Sequence, residues 1–239
     1  MGASKPTLDW FGQPLVLRVA GLLARGVRGP VVVVAPPEVE LPAGVVAIRS
    51  EQPGVGPLAG IAAGLAALGD VDAVFVVAAD TPLLQPRLVA HILGLLRPED
   101  DAAVPVALGF RHPLCAAYRP RVMGPLADLL AEGVGAAGAL PLGVATRWLQ
   151  EATLAAVDPG LGSLSACNTP AELAMLRSVP TPSVLLAGVA SRGWTLGEAC
   201  AYIGLEVPTG SVMVAGVDSE ASARLPLADG DAVALATTR

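Results

Sequence analysis

Residues 73–80 read Ala73-Val74-Phe75-Val76-Val77-Ala78-Ala79-Asp80, and Thr81-Pro82 comes directly after. An unbroken apolar run, rich in β-branched Val and closed by an acidic residue and a turn, predicts a strand buried on both faces. Such a strand needs helices on either side, and the flanking sequence supplies them. Upstream, Gly56-Pro57 opens an apolar helix to about Leu68; downstream, a helix runs from about Pro86 to Leu96, each with proline near its first position. The alternation continues outward. Leu15, Val19, Leu22 and Leu23 recur at helical spacing after Pro14, strands are predicted at Pro30–Ala35, Val45–Ile48 and Ala102–Val106, and Phe110–Tyr118 reads as extended. Helices are predicted over Pro120–Ala131 and Pro170–Arg177. This order predicts an α/β fold with a parallel sheet. Ligands of such sheets gather at the carboxyl ends of strands, which directs attention to the residues just beyond Ala35, Ile48 and Ala78.

The 239 residues are 53% hydrophobic and 15% charged, ample for a buried core and opposite to the balance of a disordered chain. With a formal net charge of -6 and no run of Lys or Arg, the sequence reads against nucleic acid and against an anionic membrane surface. The longest apolar stretch, Gly54 to Gly69, is interrupted by Pro57 and glycines and is shorter than the roughly 20 residues of a membrane span. Cys115, Cys167 and Cys200 lie far apart and the only histidines are His91 and His112, so no zinc-ligand spacing is present. An odd cysteine count with no apolar leader predicts a cytoplasmic protein with buried thiols.

Four clusters carry candidate chemistry. Asp80-Thr81-Pro82 ends the buried strand: a carboxylate there suits Mg²⁺, which takes one or two protein carboxylates beside phosphate oxygens, or else it caps the next helix. The loop Glu51-Gln52-Pro53-Gly54-Val55-Gly56-Pro57-Leu58-Ala59-Gly60 joins a strand to a helix; its glycines let backbone approach a ligand at a helix N-terminus, or simply allow tight packing. In Cys167-Asn168-Thr169-Pro170-Ala171-Glu172, Thr169 is the natural N-cap and Asn168 is placed to face the crevice. Met1-Gly2-Ala3-Ser4-Lys5 gains meaning only as the end of a phosphate loop.

Taken in order, Met1-Gly2, Lys5, Gly12-Gln13-Pro14-Leu15, Gly56-Pro57-Leu58-Ala59-Gly60, Asp80-Thr81-Pro82, His112-Pro113-Leu114-Cys115 and Asn168-Thr169-Pro170 resemble the molybdenum cofactor guanylyltransferases, over about three quarters of the chain. The resemblance implies a Rossmann-like nucleotidyltransferase sandwich over residues 1–178 that transfers GMP from GTP to molybdopterin with release of pyrophosphate. It implies that Lys5 and Asp80 are catalytic, that Asp80 holds Mg²⁺, and that Gly2, Lys5, Glu51, Gly56, Pro57, Leu58, Gly60 and Asp80 border the nucleotide. Asn168 and His112 would face the pterin substrate. Ser4 stands where the family has Asp, and Ala166 where it has the first Asn of Asn-x-Asn-Thr-Pro. The family's first strand and Leu-x-Gly-Gly-x-Ser-x-Arg loop would precede Met1, so the sandwich is expected to lack its first strand and phosphate loop, and Met1 is expected to be internal to a longer protein.

Ser178 to Pro182 reads as a linker, with the boundary at residues 179–182. Residues 183–239 predict a small α+β domain, with strands at Val184–Leu186 and Val212–Val214, a helix capped by Thr195, and a turn and strand in Leu227-Ala228-Asp229-Gly230-Asp231-Ala232-Val233. That last motif resembles the ubiquitin-like (β-grasp) small subunit of molybdopterin synthase, although Asp-Gly also makes an ordinary hairpin. Those carriers end in Gly-Gly, whereas this chain ends Ala236-Thr237-Thr238-Arg239, which favours docking to molybdenum cofactor enzymes or biosynthetic proteins over sulfur carriage. A cytidylyltransferase or other small-molecule nucleotidyltransferase is the nearest alternative, and a non-catalytic scaffold for cofactor handling is the alternative from another class.

Overall fold

The computed structural model describes residues 8–50 and 54–235. In chain order these form β1 (Asp9–Trp10), β2 (Gln13–Pro14), α1 (Leu15–Gly26), β3 (Val32–Ala35), β4 (Val46–Arg49), α2 (Pro57–Leu68), β5 (Val74–Val77), α3 (Pro86–Leu95), β6 (Ala102–Ala107), β7 (Phe110–Arg111) and β8 (Cys115–Tyr118). Beyond these lie α4 (Met123–Ala131), β9 (Thr146–Gln150), α5 (Glu151–Ala155), α6 (Pro170–Arg177), β10 (Ser183–Leu186), β11 (Val189–Arg192), α7 (Leu196–Tyr202), β12 (Ser211–Val214), β13 (Val217–Glu220) and β14 (Ala232–Leu235).

The central sheet runs β5-β8-β6-β7, with β9 on the other side of β6. Its strands are apolar on both faces because helices cover both. Phe75, Ala103 and Ala117 pack with Leu22, Leu88 and Ile92 of α1 and α3. Their neighbours Val74, Ala102 and Tyr118 pack with Leu58, Ile61 and Leu126 of α2 and α4. The period-2 alternation of the strands thus feeds two separate cores, one per face.

The sheet is mixed, not parallel as the sequence predicts. β6 and β9 are parallel, but β8 runs antiparallel to both β5 and β6. Parallel neighbours need a crossover of about a dozen residues or more, and the links on either side of β7 are too short for one. The extended stretch of residues 110–118 is therefore two strands folded back on β6.

β3 and β4 pair in parallel as a separate ribbon, and among the described residues no strand pairing joins them to the central sheet. Between the ribbon and β5 lies a cavity of about 780 Å³. Val31–Val34 form one bank and Val74–Ala79 the other, with Val16, Val19 and Ala20 of α1 and Gly60, Ile61 and Gly64 of α2 as walls.

The strands from Ser183 onward make their own five-stranded sheet, in the order β11-β10-β14-β12-β13, with β10 and β14 parallel at its centre. Val184, Leu186, Leu196, Val212, Leu227 and Val233 form its core. Both its hairpins turn on Ala-Gly, with Ala187 and Gly188 at φ 51° and 83° and Ala215 and Gly216 at φ 50° and 83°. Two successive left-handed residues are what a two-residue hairpin of this twist requires. No helix among the described residues is long and apolar enough to cross a membrane.

Candidate nucleotide site

β5 delivers Asp80 to the carboxyl end of the central sheet, half-buried. The segment after it is held at three points by distant chain. The N–H of Cys167 donates to the Asp80 carbonyl at 2.9 Å, and the Cys167 thiol approaches the same oxygen at 3.3 Å. Arg18 Nε donates to the Pro82 carbonyl at 2.6 Å, and Ser163 Oγ accepts from the Gln85 N–H at 2.9 Å. Within the turn, Thr81 Oγ1 donates to the Ala78 carbonyl at 2.7 Å. The capping alternative for Asp80 fails, since α3 begins at Pro86 with Gln85 as its N-cap.

The bond from Cys167 brings the Asp-Thr-Pro and Asn-Thr-Pro segments to one place although the paired residues are 87 positions apart. Thr169 caps α6 in a reciprocal box with Glu172, whose carboxylate also accepts from the Asn168 N–H at 2.6 Å. That box fixes the backbone and leaves Asn168 solvent-exposed beside the Asp80 turn. His112 sits at the return from β7 to β8. Its Nε2 lies 3.0 Å from the Ala107 carbonyl, so its ring braces the hairpin. Two residues on, the Leu114 carbonyl accepts from the Ala78 N–H at 3.0 Å, which ties this return to the strand end that carries Asp80.

The α2 loop is organised by glycine against glycine. Gly56, at φ 114°, would put a Cβ 2.6 Å from the Gly135 carbonyl oxygen, and a Cβ on Gly135 would fall 1.4 Å from the Val55 carbonyl oxygen. The Leu58 N–H donates to that Gly135 carbonyl at 3.2 Å and its side chain is fully buried, so Leu58 anchors the helix and offers a ligand nothing. Gly56 and Pro57 are exposed. Gly60 faces a Val34 methyl at 4.0 Å, which gives it a packing role between α2 and β3. Gly2, Lys5 and Glu51 lie outside the described residues.

Sequence reasoning missed Gly135, because nothing in its local sequence names Val55 as its neighbour. It also missed Arg18, Gly21 and Arg25, which share one face of α1. Their spacing of three and then four residues was the available signal.

Among the described residues, no three His, Cys, Asp or Glu side chains come together as a metal cluster. A single carboxylate at the strand end matches the donor set that Mg²⁺ takes when phosphate and water complete its shell.

Residues 1–149 match the model of the MobA-like NTP transferase domain. The chain belongs to that family. Similar curated proteins include the molybdenum cofactor guanylyltransferase of Desulfosudis oleivorans, 36% identical over 118 residues, which are 49% of this chain and 58% of that protein. The chain thus spans under two thirds of that relative. The probable molybdenum cofactor guanylyltransferase of Chloroflexus aggregans is 34% identical over 197 residues, 74% of this chain and 87% of that protein. Among solved structures, the molybdopterin-guanine dinucleotide biosynthesis protein A of Archaeoglobus fulgidus superposes with a TM-score of 0.63 at 22% identity, covering 74% of this chain and 91% of that one. That likeness, at this level of identity, shows a shared fold.

Proposed function

We propose that the protein transfers GMP from GTP to molybdopterin. An oxygen of the molybdopterin phosphate bonds to the α-phosphorus of GTP, the bond from that phosphorus to the bridging oxygen breaks, and its electron pair leaves with pyrophosphate. Such a reaction asks the protein for position and charge stabilisation and needs no nucleophilic side chain. Asp80 would hold Mg²⁺, which supplies charge neutralisation on the phosphates when bound. Lys5 would meet phosphate, while Gly2, Glu51 and the α2 N-terminus at Gly56 and Pro57 would border the nucleotide. Asn168 and His112 would line the pterin side.

The observation that carries this reading is the Asp80–Cys167 bond, which joins the carboxylate turn to the exposed Asn168. The cavity between Val31–Val34 and Val74–Ala79 supports a second element of it. Two strand edges facing across an apolar gap suit an extended segment that pairs with both, so we infer that one further strand completes the sheet there. Residues 183–239 are best treated as a second, ubiquitin-like domain, a reading supported by their own core and by the parallel pairing of β10 with β14.

Calorimetric titration of GTP into the protein purified from its host tests the nucleotide reading. Binding that needs Mg²⁺, is weakened by Asp80→Asn and is not displaced by equal CTP supports it. Displacement by CTP would move the assignment to a cytidylyltransferase, and no Mg²⁺-dependent nucleotide binding would leave the scaffold reading. The intact mass of the same sample tests the strand: a mass about twenty residues larger supports it, since an extended chain of that length supplies a strand and a loop.

A further inference from the structure

Arg18 is 1% exposed, yet among the described residues no carboxylate is hydrogen-bonded to it. All three of its nitrogens donate to backbone carbonyls: Nε to Pro82 at 2.6 Å, and the two terminal nitrogens to Trp194 at 2.9 Å and Leu227 at 3.1 Å. Pro82 lies two residues beyond Asp80, whereas Trp194 and Leu227 belong to the C-terminal sheet unit. The guanidinium carbon also lies 4.9 Å from the Trp194 ring centroid, within cation–π range. One turn along the same face, a Cβ on Gly21 would meet Pro226 at 2.7 Å, and after another turn Arg25 pairs with Asp231 at 2.6 Å, both side chains nearly buried. This face of α1 is therefore shaped to receive the C-terminal unit.

Packing alone does not account for Arg18. A whole buried ion pair can often be exchanged for apolar side chains without loss of stability, but Arg18 serves three backbone carbonyls that no packing residue could satisfy. What an apolar side chain cannot do is fix the orientation of three carbonyls with one rigid planar fork. One of those carbonyls belongs to the turn whose other end is held by Cys167 at the Asp80 carbonyl.

We propose that Arg18 is a positioning residue for the Asp80 turn, and that through it the docked C-terminal unit is part of the catalytic machinery. This rests on Asp80 being the metal carboxylate of the nucleotide site. With the C-terminal unit in place, Trp194 and Leu227 hold the guanidinium, the guanidinium holds Pro82, and the carboxylate two residues earlier is aimed. Displacing the unit frees the fork and loosens the turn, so a partner that binds the C-terminal unit has a route to the active site.

The test compares Arg18→Met with the double variant Arg25→Met/Asp231→Asn, which removes the other polar link between the same units but has no bond to the turn. Hydrogen exchange of the Thr81, Leu83 and Leu84 amides, which flank Pro82, is read first, because it does not depend on activity. Arg18→Met is expected to speed that exchange about tenfold, with the double variant within twofold of the wild type. In nucleotidyl transfer, Arg18→Met is expected to lower kcat about tenfold or more with the GTP dissociation constant nearly unchanged. Equal exchange in all three proteins, or equal loss in both variants, overturns the proposal. If the wild type transfers no nucleotide, the functional reading fails while the exchange comparison still decides what Arg18 does. Should Arg18→Met not fold, Arg18→Lys carries the same expectation, since lysine keeps the charge and loses the planar fork.

Discussion

The N–H of Cys167 reaches the carbonyl of Asp80 at 2.9 Å, with the fully buried thiol against the same oxygen. The thiol is thus part of the wall behind the candidate metal carboxylate. Cys115 and Cys200 are also buried, and burial pushes the Cys115 thiol up to about 12, with the charge of Asp158 adding to the effect. None of the three is expected to react with iodoacetamide at pH 8 in the folded protein, because the thiolate is the nucleophile and access is closed. Mass spectrometry should find three adducts after unfolding and none before. An adduct on native Cys167 would show that the Asp80 turn opens readily.

Gly56 and Gly135 meet with no room for a methyl group on either. Gly135→Ala must displace the Val55 carbonyl and so move the start of α2. A loss of about 2–3 kcal/mol is expected, read as a fall in Tm of roughly 4–12 °C for a chain of this size. Gly133→Ala is a useful contrast, since its φ of 76° is strained but its Cβ would meet nothing within 4 Å. It should cost less than Gly135→Ala.

The two Ala-Gly hairpins place Ala187 and Ala215 in the left-handed region, which costs an ordinary residue roughly 1–2 kcal/mol. Asn tolerates that region better. Ala187→Asn and Ala215→Asn should each raise stability by about 0.5–1 kcal/mol in denaturant melts, and the gains should add because the turns are separate.

Acid should weaken the central sheet at the start of β6. Burial pushes Asp100 up, but hydrogen bonds from the Arg147 side chain and the Arg97 N–H outweigh it and hold the carboxyl below 3.8. For Asp101 the bond from Arg121 is the largest influence, opposed by burial and helped by the Ala145 N–H. A carboxyl depressed in the folded state adds stability that is fully present above its unfolded value near 3.8 and is lost as pH falls through the folded value. Thermal melts from pH 6 to pH 2 should show that loss in the wild type. Asp100→Asn should be less stable at pH 6 and have a flatter acid limb.

Much of the first sheet was legible because its strands are apolar on both faces and end in recognisable turns. β5 and Asp80 stand out for that reason. β9 was missed because Thr146, Arg147 and Gln150 break the apolar run of a strand lying at the side of β6. β11 and β13 were missed because their turns use Ala-Gly where Asn-Gly or Asp-Gly is the usual signal. Within the Leu227-Ala228-Asp229-Gly230-Asp231 segment, Asp229 and Asp231 do more than make a turn. Asp229 accepts from the Ser183 N–H at 2.9 Å, and Asp231 accepts from the Ala228 N–H at 2.7 Å and pairs with Arg25. The long-range partners of Arg18 and Gly135 leave no local pattern, since each depends on how separate segments come together.

The most direct measurement is nucleotidyl transfer by the protein purified from its host, supplied with GTP, Mg²⁺ and molybdopterin. Pyrophosphate should be released in step with formation of the guanine dinucleotide, and Asp80→Asn should lower kcat by about 10²–10³-fold while leaving the fold intact. Transfer that survives unchanged in Asp80→Asn, or a folded wild type that binds GTP and releases no pyrophosphate, would contradict the account.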